Sequence, residues 1–256
     1  MRRLVILLTL LVILWAVYRL NRLASGWHYI IPAPPGELLY ATSFDGAADD
    51  WEQDESHRMS SQINAGAMRI AVHADGEGLY SAADPYFRDF DIQLQAQVRE
   101  GVFDRQNTNA YGIIFRQQDR NNYYVFLVNS DGAYRIKRVV NGSPLFLSDW
   151  ITNAAINTEI GAANQLRVVG QGDRFQFYIN DILLSLCIPN HADAQSTVFN
   201  DECLEGTMQE TLTDGSIPFG RLGVYVELAR GQTIPVIVDF DNVVVYGPQP
   251  ISGAAP

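Results

Sequence analysis

The chain has 256 residues, 47% of them hydrophobic, which suits one large domain with a sizeable core better than two small ones. Its net charge of −11 is unevenly spread: none of the 29 Asp and Glu residues precedes Glu37, and from there on the balance is −15. An acidic body repels phosphate backbones, which excludes nucleic acid as a partner, although acidity alone also describes an ordinary solvated surface. Lys137 is the only lysine.

Leu4 to Tyr18 is apolar except for Thr9. As a helix it spans about 22 Å, and extension to Leu23 brings it to bilayer length if Arg19 and Arg22 snorkel to the headgroups. Residues 1–23 are therefore expected to be an uncleaved transmembrane anchor, with Trp15, Tyr18, Trp27 and Tyr29 at the interface. The competing reading is a signal peptide cleaved near Ala24-Ser25-Gly26, against which the two arginines after the apolar run argue. Residues 24–37 contain Ile31-Pro32-Ala33-Pro34-Pro35-Gly36, a stiff polyproline-like spacer. Arginines flank the apolar run on both sides and nearly cancel as an orientation signal. Cys187 and Cys203, the only cysteines, suggest one disulfide and an extracytoplasmic domain; two unrelated thiols in a cytosolic domain are the alternative.

Period-two alternation then predicts strands over Leu38 to Phe44, Met68 to His73, Leu79 to Ala82 and Phe90 to Val98, with Phe90, Ile92, Leu94, Ala96 and Val98 inward. Tyr111 to Arg116 and Tyr123 to Val128 are apolar on both faces. They are either central strands covered on both sides or the lining of a concave aromatic groove. Ala133 to Val140 and Leu145 to Leu147 form a hairpin across Asn141-Gly142, and that turn explains Asn141-Gly142-Ser143 better than a glycosylation acceptor does. Leu166, Val168, Phe175, Phe177 and Ile179 alternate through two strands turned by Gln171-Gly172-Asp173, with a further turn at Asn180-Asp181. Pro189 to Pro218 is a long insertion tied at its base by the cysteines, Arg221 to Leu228 and Pro235 to Tyr246 are the last strands, and residues 248–256 have the composition of a disordered tail. No amphipathic helix follows the anchor, so the fold class is an all-β sandwich over residues 38–247.

Several stretches between Leu38 and Gly247 resemble the concanavalin A-like lectin/glucanase superfamily, closest to its bacterial laminin-G-like and 3-keto-disaccharide-hydrolase-like domains. They are Phe44-Asp45 with Trp51; Tyr111-Gly112-Ile113-Ile114-Phe115-Arg116 followed by Asn122-Tyr123-Tyr124; Asp131-Gly132; Asn164-Gln165-Leu166-Arg167-Val168; Tyr178-Ile179-Asn180-Asp181; Gly220-Arg221-Leu222-Gly223; and Phe240-Asp241-Asn242-Val243. The resemblance implies a jelly-roll sandwich and a prior for glycan binding, not an activity. It also implies a structural calcium between first and last strands, with Asp45, Asp239 and Asp241 as candidate ligands. Solvation of an edge strand is the plain alternative for these aspartates.

The superfamily's paired-carboxylate glucanase motif is missing, and Glu52-Gln53-Asp54-Glu55 reads as a turn, so an enzyme is the third-ranked reading. The histidines are scattered, with no zinc spacing. A sugar site needs exposed aromatics with polar neighbours. Arg116, Tyr124, Tyr134 and Trp150 are the candidates, with ordinary packing as the competing role for each. The sequence thus points to a membrane-anchored extracytoplasmic module that binds a glycan. A structural subunit docking onto a larger membrane complex is the alternative.

Overall fold

The computed structural model describes residues 13, 15, 28–46, 48–74, 76, 78–101, 109–191, 195–200, 202–231 and 234–251. The chain forms two compact units, Met1–Ile30 and Ile31–Pro256, of which the second holds the β-structure. The expected transmembrane anchor lies almost wholly outside the described residues, among which no helix is long and apolar enough to cross a membrane.

Two antiparallel sheets face each other. Six strands of a seven-stranded sheet run in the order Gly78–Phe87, Gly220–Glu227, Ala110–Asp119, Asn122–Asn129, Ala133–Val140, Ser143–Thr152. The ten-stranded sheet runs Ile182–Leu183, Arg174–Ile179, Ala163–Gln171, Phe90–Glu100, Val236–Tyr246, Ala67–Val72, Met59–Asn64, Asp54–Glu55, with Leu38–Thr42 and Leu212–Thr213 branching from it. The alternation read in Phe90 to Val98 holds: Phe90, Ile92, Leu94, Ala96 and Val98 are buried in the inter-sheet core. Phe115, Tyr124, Phe126, Phe175 and Phe177 meet them from both sheets, Phe115 and Tyr124 stacked at 5.2 Å and 12°. Full burial of each such side chain stabilises the fold by about 1.5–3 kcal/mol.

The turns use left-handed backbone where the sequence allows it. Asn141-Gly142 and Asn180-Asp181 have φ of 51°, 75°, 48° and 65°, the pattern of two-residue hairpins. Ala65-Gly66 does the same and joins Met59–Asn64 to Ala67–Val72. Met59–Asn64 is a strand that the sequence pattern does not mark, because its Ser and Gln residues hide the alternation.

Three expectations need correction. Asp54–Glu55 is a short edge strand rather than a turn, with both side chains exposed. The proline-rich segment before Glu37 is not a free spacer at its end: Gly36 N donates to Gly247 O and Gly247 N to Glu37 O, both at 2.8 Å. The stretch after Gly247 is docked as far as Ile251, which is 3% exposed and whose amide donates to Gln171 Oε1 at 3.0 Å. Residues 252–256 of the expected tail lie outside the described residues. The described part of the 189–218 insertion carries two small antiparallel hairpins, which pair Leu186–Pro189 with Gly206–Gln209 and Thr197–Phe199 with Glu202–Leu204.

The disulfide Cys187–Cys203 ties these hairpins together, its Cα atoms 5.5 Å apart. Cys187 is fully buried, and its amide donates to Ser148 Oγ at 3.1 Å on the edge strand of the seven-stranded sheet. Closing a 16-residue separation restricts the unfolded chain by about 3 kcal/mol. The double substitution Cys187→Ala/Cys203→Ala is therefore expected to lower the unfolding free energy by about that amount in urea titrations. An unchanged midpoint would show the bond to be energetically idle.

Candidate binding face on the seven-stranded sheet

In a strand, successive side chains point to opposite faces. In the seven-stranded sheet one set, including Ile113, Phe115, Phe126 and Val128, enters the inter-sheet core. The other set, Ala110, Ile114, Val125, Leu127 and Tyr225, forms a second apolar layer on the outer face, with Tyr80, Tyr123 and Trp150 packed against it. The two-faced apolar pattern of Tyr111 to Val128 thus has a structural cause.

Register aligns a row across that outer face: Tyr80 lies opposite Tyr225, Tyr225 opposite Gly112, Gly112 opposite Leu127, and Leu127 opposite Arg135. The neighbouring row carries Ile114, Val125 and Lys137. Tyr123 bridges the aromatics, its ring 6.4 Å from both Tyr80 and Tyr225. Beyond it, the Arg135 guanidinium lies between two rings, 4.1 Å from Phe146 and 4.3 Å from Trp150. Such cation–π contacts contribute about 0.5–2 kcal/mol each and hold the guanidinium flat.

Charge is concentrated where Arg135, Lys137 and Glu227 meet. Lys137 Nζ donates to Glu227 Oε2 at 2.6 Å and to Tyr225 Oη at 3.3 Å, and lies 4.8 Å from the Tyr225 ring. Arg135 Nη2 donates to Glu227 Oε1 at 3.0 Å, and the Tyr225 hydroxyl donates to Glu227 Oε2 at 3.2 Å. Burial pushes the Glu227 carboxyl up, but Lys137 and Arg135 outweigh it and hold the group below the usual glutamate value. Burial, then the Glu227 charge, raise the Tyr225 and Tyr123 hydroxyls, keeping both protonated as donors. At the other end, Gln117 Nε2 donates to Tyr80 Oη at 3.2 Å, while Arg221 donates to Gln117 Oε1 at 2.8 Å and to Glu52 Oε1 at 2.6 Å. The result is a polar and aromatic strip crossing six strands, about 24 Å at the usual inter-strand spacing.

Of the four sugar-site candidates, Trp150 alone lies on this face. Arg116, Tyr124 and Tyr134 are 0–1% exposed and turned into the core. Tyr124 Oη donates to Asp214 Oδ1 at 2.6 Å, and Tyr134 Oη donates to the Ser185 carbonyl. Arg116 should point outward by alternation, but its φ of 50° marks a bulge that turns it in. It lies 4.6 Å over the Phe175 ring and donates to the carbonyls of Ile217 (2.9 Å), Arg88 (3.0 Å) and Gly172. Burial lowers its pKa to about 10, outweighing the opposing pull of Tyr124, Asp89 and Asp173. These three residues serve packing and loop anchoring. The sequence signal for the outer residues lies in Arg135 and Lys137, two cations two residues apart and so on one side of their strand.

The three calcium candidates are not brought together. Asp239 is 5% exposed and both its oxygens are taken, by Arg69 at 2.7 and 2.9 Å and by Arg99 at 2.6 Å. Asp45 accepts from Ser43 Oγ, and Asp241 from the Asn242 amide. Among the described residues no group of three or more His, Cys, Asp or Glu side chains is placed to hold a metal.

Solved structures share this architecture. The carbohydrate-binding module CBM66 from Bacillus subtilis superposes with a TM-score of 0.51 at 16% identity, covering 77% of this chain and 95% of that one. A protein of unknown function with a galectin-like fold, also from Bacillus subtilis, gives 0.54 at 8% identity over 84% and 98%. A native glycosidic hydrolase gives 0.53 at 9% identity over 86% and 99%. The fold is the concanavalin A-like β-sandwich. At these identities the likeness concerns the sandwich and not its ligand. No protein-family model matches the sequence. A stretch of 85 residues is 33% identical to a TPR repeat-containing protein of Treponema pallidum, covering 32% of this chain and 10% of that protein's length.

Because the Glu227 pKa is lowered by folding, its contribution to stability is present above the unfolded value and is lost as pH falls through the folded one. Glu227→Gln is therefore expected to destabilise the protein at neutral pH. The gap to wild type should narrow steadily below about pH 4.5. Urea midpoints measured at stepped pH check this, and a gap that widens on acidification would contradict the assignment.

Proposed function

We propose that this chain is a carbohydrate-binding module whose ligand lies along the outer face of the seven-stranded sheet. The observation that carries the reading is the strip itself: Trp150, Tyr123, Tyr225 and Tyr80 follow one another across the sheet, with Arg135 on Trp150, Lys137 on Tyr225 and Gln117 on Tyr80. Sugar rings offer apolar C–H faces and a rim of hydroxyls, so a site for them needs aromatic surface and fixed polar partners together. The similarity to a carbohydrate-binding module and to a galectin-like fold supports the same ligand class.

Binding without hydrolysis is favoured by the carboxylates bonded within the strip. Glu227 lies opposite Gly78, whereas the Glu52 amide bonds Ala82 O, four residues along the same strand. Their backbones thus enter the strip about 13 Å apart along that strand. Each carboxylate is also held by a guanidinium.

In this reading the apolar run near the N-terminus anchors the module in a membrane with the sandwich outside the cytoplasm, and the disulfide supports that side because such bonds persist there. A second reading, docking onto a protein of a larger membrane complex, draws on the disulfide-tied hairpins. There Phe199, Leu204 and Met208 are 64%, 42% and 43% exposed.

The test is a glycan array probed with the full chain in detergent, followed by calorimetry on any hit. Trp150→Ala and Tyr123→Ala should each weaken a hit by about tenfold or more, as expected for truncation of aromatic anchors. A folded protein that retains no glycan, while co-purifying with a stoichiometric membrane protein, would favour the second reading.

A further inference from the structure

Building on the glycan reading, we infer that the Arg135–Lys137 end of the strip receives an acidic substituent of the sugar chain, a carboxylate or a sulfate. Net charge and unused donors both point there. Two cations share a single carboxylate: Glu227 gives one oxygen to Arg135 and the other to Lys137 and Tyr225. The trio therefore carries a net charge of +1, in a chain whose overall charge is −11 and whose only lysine is this one. Both oxygens of Glu227 are covered by donors, which mutes its repulsion of an incoming anion. The next carboxylate on the edge strand, Asp149, accepts the Trp150 backbone amide at 2.8 Å.

Donor capacity is also left over. A guanidinium has five N–H donors and an ammonium three. Arg135 uses Nη2 on Glu227 and its Nε is buried, which leaves the Nη1 group as the donor for an incoming acceptor. The Phe146 and Trp150 rings stack on the guanidinium at 4.1 and 4.3 Å, so an acceptor reaches it in the plane of its N–H groups, where carboxylates and sulfates form charge-assisted bonds. The Arg135 and Lys137 side chains keep 16% and 10% of their surface exposed. The opposite end differs. Arg221 is matched singly by Glu52, and exposed Arg120 follows directly on exposed Asp119, so no comparable excess arises.

The test compares paired probes on the full chain in detergent: an oligogalacturonate with its carboxyl-reduced form, and a sulfated galactan oligosaccharide with its desulfated form. The acidic member of one pair should bind about tenfold tighter at low salt, and the pair that responds tells carboxylate from sulfate. That advantage should shrink as sodium chloride rises from about 50 to 500 mM, as screening requires. Arg135→Gln should abolish it and Arg135→Lys retain part of it. Glu227→Gln, which leaves both cations unneutralised, should increase it. The wild-type salt titration decides the matter even if a variant fails to fold. Equal binding of acidic and neutral members, or a preference indifferent to salt, overturns this inference and leaves the glycan reading standing. Retention of no probe from either pair overturns the inference, whereas only a failure to retain any glycan of the array, acidic or neutral, overturns the glycan reading itself.

Discussion

The aromatic packing around Phe115 governs the rest of the molecule. Its ring stacks on Tyr124 and lies 5.3 Å from Phe175 and 6.0 Å from Phe90 and Phe177, so it joins both sheets at one point. A pleated strand repeats every two residues, and a slip of one residue would send the whole set to the other face. Fixing Phe115 and Tyr124 inward therefore fixes Ile114, Tyr123 and Val125 outward. The outer face is the complement of the core, decided by the same register.

That coupling explains how the polar strip is held. Its rings rest on Ala110, Ile114, Val125 and Leu127, all fully buried, so the outer face has a rigid apolar bed. On such a bed, desolvated groups interact strongly, and Lys137 and Glu227 hold each other as a pair that neither could leave without a large cost. Removing one partner alone would leave a mostly buried charge, which typically costs about 3–5 kcal/mol. Ligand sites work best when their polar groups are already in place, because little ordering remains to be done on binding.

The loops at the other side of the sandwich are held by a different device. Arg116 has no carboxylate and instead ties the carbonyls of Arg88, Gly172 and Ile217, three loops distant in sequence. Gly220 faces it because the Arg116 backbone leaves no room for a Cβ at that position. Asp214 plays a similar role through Tyr124, Arg138 and the Ser216 amide.

The strand pattern, the hairpin turns at Asn141-Gly142 and Asn180-Asp181, the pairing of the two cysteines and the sandwich class were all legible in the sequence, because alternation and left-handed turn residues act over neighbouring positions. The candidate site was legible only in outline. Trp150 and the strands from Tyr111 to Trp150 do build the outer face, but Tyr124 and Tyr134 belong to the opposite side from Tyr123 and Arg135. Both faces of those strands are apolar, so nothing local says which is the core. Only the facing sheet, with Phe175 and Phe177, decides it. Arg116 shows the same limit more sharply, since its bulge reverses a face that alternation alone assigns. Glu227 meets Arg135 and Lys137 across 92 and 90 residues of chain, and such a meeting exists only once the strands are paired.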